Sequence, residues 1–267
     1  MPQKVHLVVI DPQVDFCDPN GKLYVGGAEK DIERLAKMVD RLGSRLDDIH
    51  ITMDSHHQLH VAHPVFWKDS KGNHPDPFTL ISAKAVETGK WTPTSPGMFR
   101  KSLDYVKSLE KNGRYVLCIW PPHCLIGTVG FTIMEPLLSS LMKWEIDNFA
   151  VVDKITKGSN IFTEHYSAVQ ADVPQTDDPS TQLNTNFIRT LEEADLIAFA
   201  GEASTHCLLN SFSDIVANFA DPTTIKKCVL LTDGTSGIPG FEKNYNDFVK
   251  KMTGLGMQVS TTKEFLA

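Results

Sequence analysis

The chain of 267 residues has few cysteines, little basic charge and no long hydrophobic run. Asp and Glu (33) outnumber Lys and Arg (26), which argues against a general nucleic-acid binder, because such a protein needs a basic patch to neutralise phosphates. No apolar run reaches the roughly 20 residues of a spanning helix, and the first residues do not resemble a signal peptide. Five cysteines without regular spacing do not suggest a disulfide framework. We therefore expect one domain over residues 1–267, without nucleic-acid or membrane partners, in the reducing cytoplasm.

Strand and helix patterns alternate along the chain, which predicts βαβ units and a parallel sheet. The predicted fold is an α/β, three-layer α-β-α arrangement with a mainly parallel central sheet. Apolar runs predict strands at 5–11, 49–53, 149–152, 196–200 and 228–232, with a short edge strand at 258–261 and a further strand suggested at 114–120. Helical periodicity covers 28–42, 99–110, 131–144, 183–194, 206–220 and 241–255. A segment rich in proline and glycine predicts an insertion at about 63–113.

Three apolar runs each lead to a side chain suited to amide chemistry, namely Asp11, Lys157 and Cys207. Because ligands of an open parallel sheet bind outside the carboxyl ends of its strands, the three could meet there as a base, a cation and a thiol nucleophile. Cys207 also precedes a helical pattern, where backbone N–H groups lower a thiol pKa and can hold an oxyanion. Each residue has a plainer interpretation: a buried cysteine, a turn-forming aspartate and a surface lysine.

One carboxylate and four imidazoles lie within residues 54–63, directly after the second predicted strand. This set suits Zn²⁺, Fe²⁺ or Mn²⁺. Asp54 and His56 share one side of an extended chain. Farther along, two prolines stiffen the segment that presents His123 as a further ligand, and Trp120 could stack on a flat substrate. The alternatives are a polar, pH-sensitive loop and a strand exit with a buried tryptophan.

Taken together, these motifs resemble those of the isochorismatase-like cysteine hydrolases, and among them the nicotinamidases. The matching pieces are short, but they occur in the right order over most of the chain. They are Asp11-Pro12-Gln13-Val14-Asp15-Phe16, Gly26-Gly27-Ala28, Asp54-Ser55-His56, Trp120-Pro121-Pro122-His123-Cys124, Lys157-Gly158, Tyr166-Ser167-Ala168 and His206-Cys207.

The resemblance implies a triad in which Asp11 takes the proton of the Cys207 thiol and Lys157 favours the charged forms of both. Cys207 would attack the amide carbonyl, release ammonia and leave a thioester for water to hydrolyse. The resemblance also implies a cis peptide bond at Glu202–Ala203, which would aim the N–H groups of Ala203 and Cys207 into an oxyanion hole.

One divalent metal ion (zinc, iron or manganese) is implied as well, bound by Asp54, His56 and His123. The ion would receive the pyridine nitrogen of nicotinamide. The spacing favours His60 over His63 as a further ligand. Three side chains are implied for substrate binding, and they are Phe16, Trp120 and Tyr166.

The implied function is a metal-dependent conversion of nicotinamide to nicotinate and ammonia in NAD salvage, by a chain that could form a homo-oligomer. Two alternatives remain: an amidase of the same fold that acts on another amide or ureido substrate, and a non-catalytic ligand-binding member. Residues 201–207 (Gly-Glu-Ala-Ser-Thr-His-Cys) depart from the family's commoner apolar-Ala-Thr-Asp-x-Cys and could alter the substrate. Lys154 competes for the lysine role, although Gly158 favours Lys157.

Overall fold

The structure is a computed structural model that describes residues 3–112 and 115–267. Within these residues the strands are β1 Val5–Ile10, β2 Asp48–Asp54, β3 Trp67–Lys68, β4 Leu80–Ile81, β5 Thr92–Pro93, β6 Leu117–Cys118, β7 Asp153–Lys157, β8 Leu196–Gly201, β9 Cys228–Leu231 and β10 Gln258–Ser260. The α-helices are α1 Val14–Cys17, α2 Ala28–Leu42, α3 Ala83–Glu87, α4 Phe99–Asn112, α5 Leu137–Asn148, α6 Thr185–Glu192, α7 Cys207–Ala217 and α8 Glu242–Leu255.

Six of these strands form a parallel sheet in the order β10-β9-β8-β1-β2-β7. Successive residues of β1 point to opposite faces, so Leu7 and Val9 pack with α2 and α5, whereas Val8 and Ile10 pack with α4, α6, α7 and α8. Burial on both faces explains why the central strands are apolar throughout. The predicted three-layer α/β fold is confirmed.

Helix α2 shows how closely local periodicity predicts an element. It occupies the residues whose pattern predicted a helix, and its apolar stripe of Ile32, Leu35, Ala36 and Val39 is buried against the sheet. The remaining predicted helices and main-sheet strands are present with ends shifted by a few residues, apart from the differences described next.

Two predicted elements around α5 are wrong. The helix predicted at 131–144 begins only at Leu137, because Pro136 at its N-cap has no N–H to donate within a longer helix. The strand predicted at 149–152 is absent: α5 runs to Asn148, Phe149 caps it in the left-handed conformation with φ 51°, and β7 starts at Asp153. Phe149 and Val151 are exposed, so their apolar character reflects no buried strand.

The segment predicted as an insertion contains α3, α4 and the short strands β3 to β5. Strand β6, found within the range suggested at 114–120, pairs antiparallel with β4 and lies outside the main sheet. Arg114 and Gly113 lie outside the described residues. Side chains such as Phe66 and Trp67 bury this segment against the same face as α4. That the segment is an insertion stays a prediction.

Within residues 3–112 and 115–267, no helix is both long and apolar enough to cross a membrane.

Candidate active site

A pocket lies at the carboxyl ends of β2, β7 and β8, where the parallel topology predicts a ligand site. Its empty space, including solvent at the open mouth, is about 490 Å³. The residues that line it are Phe16, Leu23, Val25, Asp54, His56, Trp120, His123, Lys157, Glu164, His165, Tyr166, Ala203, His206, Cys207 and Ile238.

The three predicted strand-end residues meet beside this pocket, around the ammonium group of Lys157. Its Nζ lies 2.9 Å from Asp11 Oδ2 and 3.7 Å from Cys207 Sγ. Lys157 is also the register partner of Asp54 on the neighbouring strand, which brings its Nζ to 3.1 Å from Asp54 Oδ1. The hydroxyl of Thr52 donates a 2.6 Å hydrogen bond to Asp11 Oδ1. All these side chains are buried, so their charges interact with little screening by water.

Burial and these neighbours set the protonation states of the group. Burial raises the pKa of Asp11, against the opposing effect of Lys157. Although burial alone would lower it, Asp11 and Asp54 hold the pKa of Lys157 well above its usual range. Burial is the largest effect on Cys207 and raises its pKa well above the usual value. Asp11 and Asp54 also raise this pKa, whereas Lys157 lowers it. This direction is opposite to the lowered thiol pKa expected at a helix N-terminus, because desolvation is the largest effect on Cys207.

Lys154, the competing lysine, lies on the other side of the strand. Its side chain is 45% exposed and its Nζ lies 3.7 Å from Glu145 Oε1. Because side chains alternate along a strand, Lys154 and Lys157 cannot both face the pocket. The structure places Lys157 at the site.

Cys207, the candidate nucleophile, stands at the start of α7, after a sharply bent loop. Gly201 ends β8 with φ 101°, and a Cβ there would collide with the backbone of Ile10, so the close approach of β8 to β1 requires glycine. The Glu202–Ala203 peptide bond is cis, as the resemblance implies. The N–H groups of Ala203 and Cys207 donate to no acceptor within the described part of the chain. They are therefore available to an oxyanion.

Asp54, His56 and His123 converge on one point at the pocket wall. Asp54 Oδ2 lies 3.1 Å from His56 Nε2 and 3.4 Å from His123 Nε2. The other ring nitrogens are held by backbone carbonyls, His56 Nδ1 at 3.0 Å from Gly158 O and His123 Nδ1 at 2.9 Å from Pro121 O. Such outer contacts orient metal-binding imidazoles, and the donor set fits a divalent ion such as zinc, iron or manganese. A Cβ on Gly158 would meet His56 at 2.8 Å, so this wall also requires glycine.

The two candidates for a further ligand differ in their hydrogen bonds. His60 uses both nitrogens, Nε2 at 3.2 Å from Thr163 O and Nδ1 at 3.2 Å from the Ala62 N–H. His63 has Nδ1 at 3.2 Å from Gln58 O, while its buried Nε2 has no partner among the described residues. The His63 ring also lies 5.4 Å from that of His56 and 5.8 Å from that of His123. The unpaired Nε2 favours His63, whereas the His60 ring lies closer to that of His56, at 4.5 Å.

Aromatic side chains form the remaining walls. Phe16 meets the His123 ring edge-on at 5.3 Å. Trp120 Nε1 lies 3.1 Å from Tyr166 Oη and 3.2 Å from Glu164 Oε2, so it donates to both. All three substrate-binding candidates thus line the same pocket as Lys157, Cys207, Asp54, His56 and His123.

Sequence reasoning gave no role to three polar pocket residues, Glu164, His165 and His206, nor to the apolar Leu23, Val25 and Ile238. Burial raises the pKa of Glu164 to about 7, and its Oε1 accepts no hydrogen bond from the described residues. The sequence signal available for Glu164 was its position near Tyr166 in a polar segment. No neighbouring residue in the sequence indicates that the Glu164 carboxyl group is buried. His206, the N-cap of α7, stands beside the nucleophile and packs against Phe241 at 4.9 Å.

Glu202, which departs from the family's commoner sequence, lies in the loop that precedes Cys207. Glu202 Oε2 accepts a 3.0 Å hydrogen bond from the Ser236 N–H, and the Ser236 hydroxyl donates to Asp31 Oδ2 at 2.5 Å. Burial first, and Asp31 next, raise the pKa of Glu202 well above its usual value. Through Ser236, Glu202 links the loop before Cys207 to Asp31 of α2.

Comparison by sequence yields no match, since no family model and no curated protein matches the chain. Solved structures do match it. A nicotinamidase/pyrazinamidase of Acinetobacter baumannii has a TM-score of 0.63 at 19% identity, covering 99% of both chains. The yeast nicotinamidase Pnc1p bound to the inhibitor nicotinaldehyde has a TM-score of 0.65 at 17% identity, and the match covers 96% of this chain and 99% of that one. The zinc complex of Pyrococcus horikoshii pyrazinamidase has a TM-score of 0.57 at 16% identity, and the match covers 97% of this chain and 99% of that one. The chain therefore has the isochorismatase-like fold of the nicotinamidases.

Proposed function

We propose that the chain is a metal-dependent cysteine amidohydrolase that converts nicotinamide to nicotinate and ammonia. The observation that carries this proposal is the direct contact between a buried acid–lysine–thiol group and a two-histidine, one-aspartate cluster, joined through the Lys157–Asp54 ion pair. Related structures hold nicotinaldehyde or nicotinate, which supports a pyridine ligand. The five cysteines are free thiols, in keeping with a cytoplasmic role in NAD salvage.

The chain's own residues account for each proton in the reaction. Asp11 takes the proton of the Cys207 thiol as Sγ attacks the amide carbonyl, and Lys157 stabilises the charge that develops on both. The N–H groups of Ala203 and Cys207 hold the oxyanion. Asp11 then returns the proton to the leaving nitrogen, and ammonia departs from a thioester. Water, deprotonated by Asp11, hydrolyses the thioester to nicotinate and restores the thiol.

Asp54, His56 and His123 would hold the divalent ion, with His63, whose buried Nε2 has no partner among the described residues, as the further ligand. When bound, the ion acts as a Lewis acid toward the pyridine nitrogen and so fixes the orientation of the ring. Phe16 would line the ring together with Trp120 and Tyr166, which excludes water from the reacting carbonyl.

A second candidate substrate is an aromatic amide that carries an additional hydrogen-bond donor. Glu164 favours it, because this residue lines the pocket and its buried Oε1, 3.5 Å from His60 Nδ1, accepts no hydrogen bond from the described residues. An unpaired buried acceptor costs free energy that a matching donor on the ligand would recover.

The test is release of ammonia from nicotinamide by the purified, zinc-loaded chain. We expect Cys207→Ala to lower the rate at least about 1,000-fold, since removal of a nucleophile abolishes covalent catalysis. Cys118→Ala is the matched control, because that half-buried thiol lies outside the pocket, and its rate should stay close to wild type. Benzamide, which lacks the ring nitrogen, should be hydrolysed more slowly than nicotinamide. Absence of turnover in the loaded wild type would contradict the proposal, and preference for an amino-substituted nicotinamide would favour the second candidate.

A further inference from the structure

A second group of histidines and aspartates lies at the opposite end of the sheet from the pocket. His6 belongs to β1, Asp48 and His50 belong to β2, and Asp153 begins β7. Parallel register pairs His6 with Asp48 and His50 with Asp153. Asp48 and His50 are two residues apart and therefore share a face of the sheet. About 13 Å of extended strand separates His50 from the active-site end of β2.

The donor atoms of this group are arranged much like those of the candidate active-site metal cluster. His6 Nδ1 lies 3.1 Å from His50 Nε2, and Asp48 Oδ2 lies 4.0 Å from the same His50 nitrogen. In each group, three residues offer one ligand atom apiece, and these atoms lie within 4.8 Å of one another. One group is His6, Asp48 and His50, and the other is Asp54, His56 and His123. A tetrahedral zinc ion with bonds of about 2.0–2.1 Å separates its ligand atoms by about 3.3 Å, so small side-chain movements would complete this geometry.

A carboxylate behind the imidazole gives the group a second feature of metal sites. His50 Nδ1 lies 3.2 Å from Asp153 Oδ2, which orients the ring and directs Nε2 toward His6 and Asp48. The two rings are buried, whereas the side chains of Asp48 and Asp153 are 35% and 52% exposed. An ion could therefore enter from solvent past the carboxylates and reach two imidazoles that are shielded from water.

We propose that His6, His50 and Asp48 bind a second divalent cation, zinc or a similar first-row ion, with Asp153 as a positioning residue. Two imidazole nitrogens and one carboxylate oxygen are ligands that zinc commonly takes, with water in the fourth position. The bound ion would link neighbouring strands. It would hold β1 to β2 far from the reacting atoms, so it does not depend on the proposed amidase activity.

The test measures zinc per chain by atomic emission after equilibration in a zinc-buffered solution. We expect two ions in the wild type and one in Asp54→Asn/His56→Gln/His123→Gln, which lacks the active-site ligands. Adding His50→Gln to that triple variant should remove the remaining ion. His57→Gln, a change at an exposed histidine outside both groups, is the matched control and should leave the count unchanged.

Because His50 is buried, its variant could fail to fold, and Asp48→Asn provides a milder change at a partly exposed side chain. In the triple background we expect Asp48→Asn to weaken binding of the remaining ion at least about tenfold. Zinc should also raise the melting temperature of the triple variant, with a smaller effect after Asp48→Asn. Asp40→Asn, at an exposed position on α2, controls for loss of one surface charge. A triple variant that binds no ion, or one whose binding is unaffected by Asp48→Asn, would overturn the proposal.

Discussion

Replacement of Lys157 by methionine is the most direct perturbation of the candidate site. The change keeps the long side chain but removes an ammonium that lies 2.9 Å from Asp11 and 3.1 Å from Asp54. Both carboxylates would then be buried without their cation. Breaking a buried ion pair by removing one partner costs about 3–5 kcal/mol, because an uncompensated charge is left behind. We expect Lys157→Met to lower the free energy of unfolding of the metal-free chain by that amount at pH 7.

The sign of the pH dependence follows from Asp11. Burial already raises its pKa and Lys157 opposes that rise, so the variant should raise the pKa further. A carboxyl whose pKa is higher in the folded than in the unfolded state costs stability as the pH rises past its ordinary value. The deficit of Lys157→Met should therefore be larger at pH 8 than at pH 5. Zinc should reduce it, since a cation beside Asp54 replaces part of the lost charge.

Urea unfolding followed by circular dichroism measures this effect, provided that the denaturant slope is unchanged. Lys154→Met is the matched control on the same strand. Its half-exposed ammonium lies 3.7 Å from Glu145, so we expect a loss below about 1 kcal/mol. A loss below about 1 kcal/mol for Lys157→Met, or equal losses for the two variants, would refute the reasoning.

Three further changes test other parts of the structure. Glu202→Gln should raise the free energy of unfolding relative to wild type, and more so at pH 8 than at pH 5, because the raised pKa of Glu202 costs stability as the pH rises; urea unfolding showing an equal effect at both pH values would contradict the raised pKa. Trp120→Phe removes the hydrogen-bond donor to Glu164 and Tyr166, so it should lower the free energy of unfolding by about 1–3 kcal/mol and raise KM. An unchanged melting temperature and an unchanged KM would argue against this role. Phe212→Ala, at a fully buried ring, should cost about 3–5 kcal/mol in chemical denaturation, and a loss below about 1 kcal/mol would contradict its place in the core.

Much of the fold could be predicted because it depends on local patterns. The helix at 28–42 and the strand at 196–200 are recognisable from periodicity and from a continuous apolar run. Asp11, Lys157 and Cys207 could be placed together because they follow strands of one parallel sheet, whose carboxyl ends share an edge.

Local patterns fail where an apolar run does not report burial. Residues 149–152 have the composition of a strand, yet Phe149 caps a helix and is exposed, because nothing packs over this end of α5 in the described structure. Glu164 and Glu202 are buried for the converse reason: segments distant in sequence cover them, and neither carboxyl carries a local sign of this.

The sequence by itself determined the layered α/β fold, the order of its main elements and the chemistry available at the strand ends. Tertiary structure alone decided which side chains share the pocket, which of His60 and His63 keeps an unpaired nitrogen among the described residues, and that burial raises the pKa of Cys207. The physical reason is that hydrogen bonds, burial and pKa depend on atoms brought together from distant segments. His60 is engaged by Thr163, more than 100 residues away in the chain, whereas His63 keeps its Nε2 unpaired within the described residues.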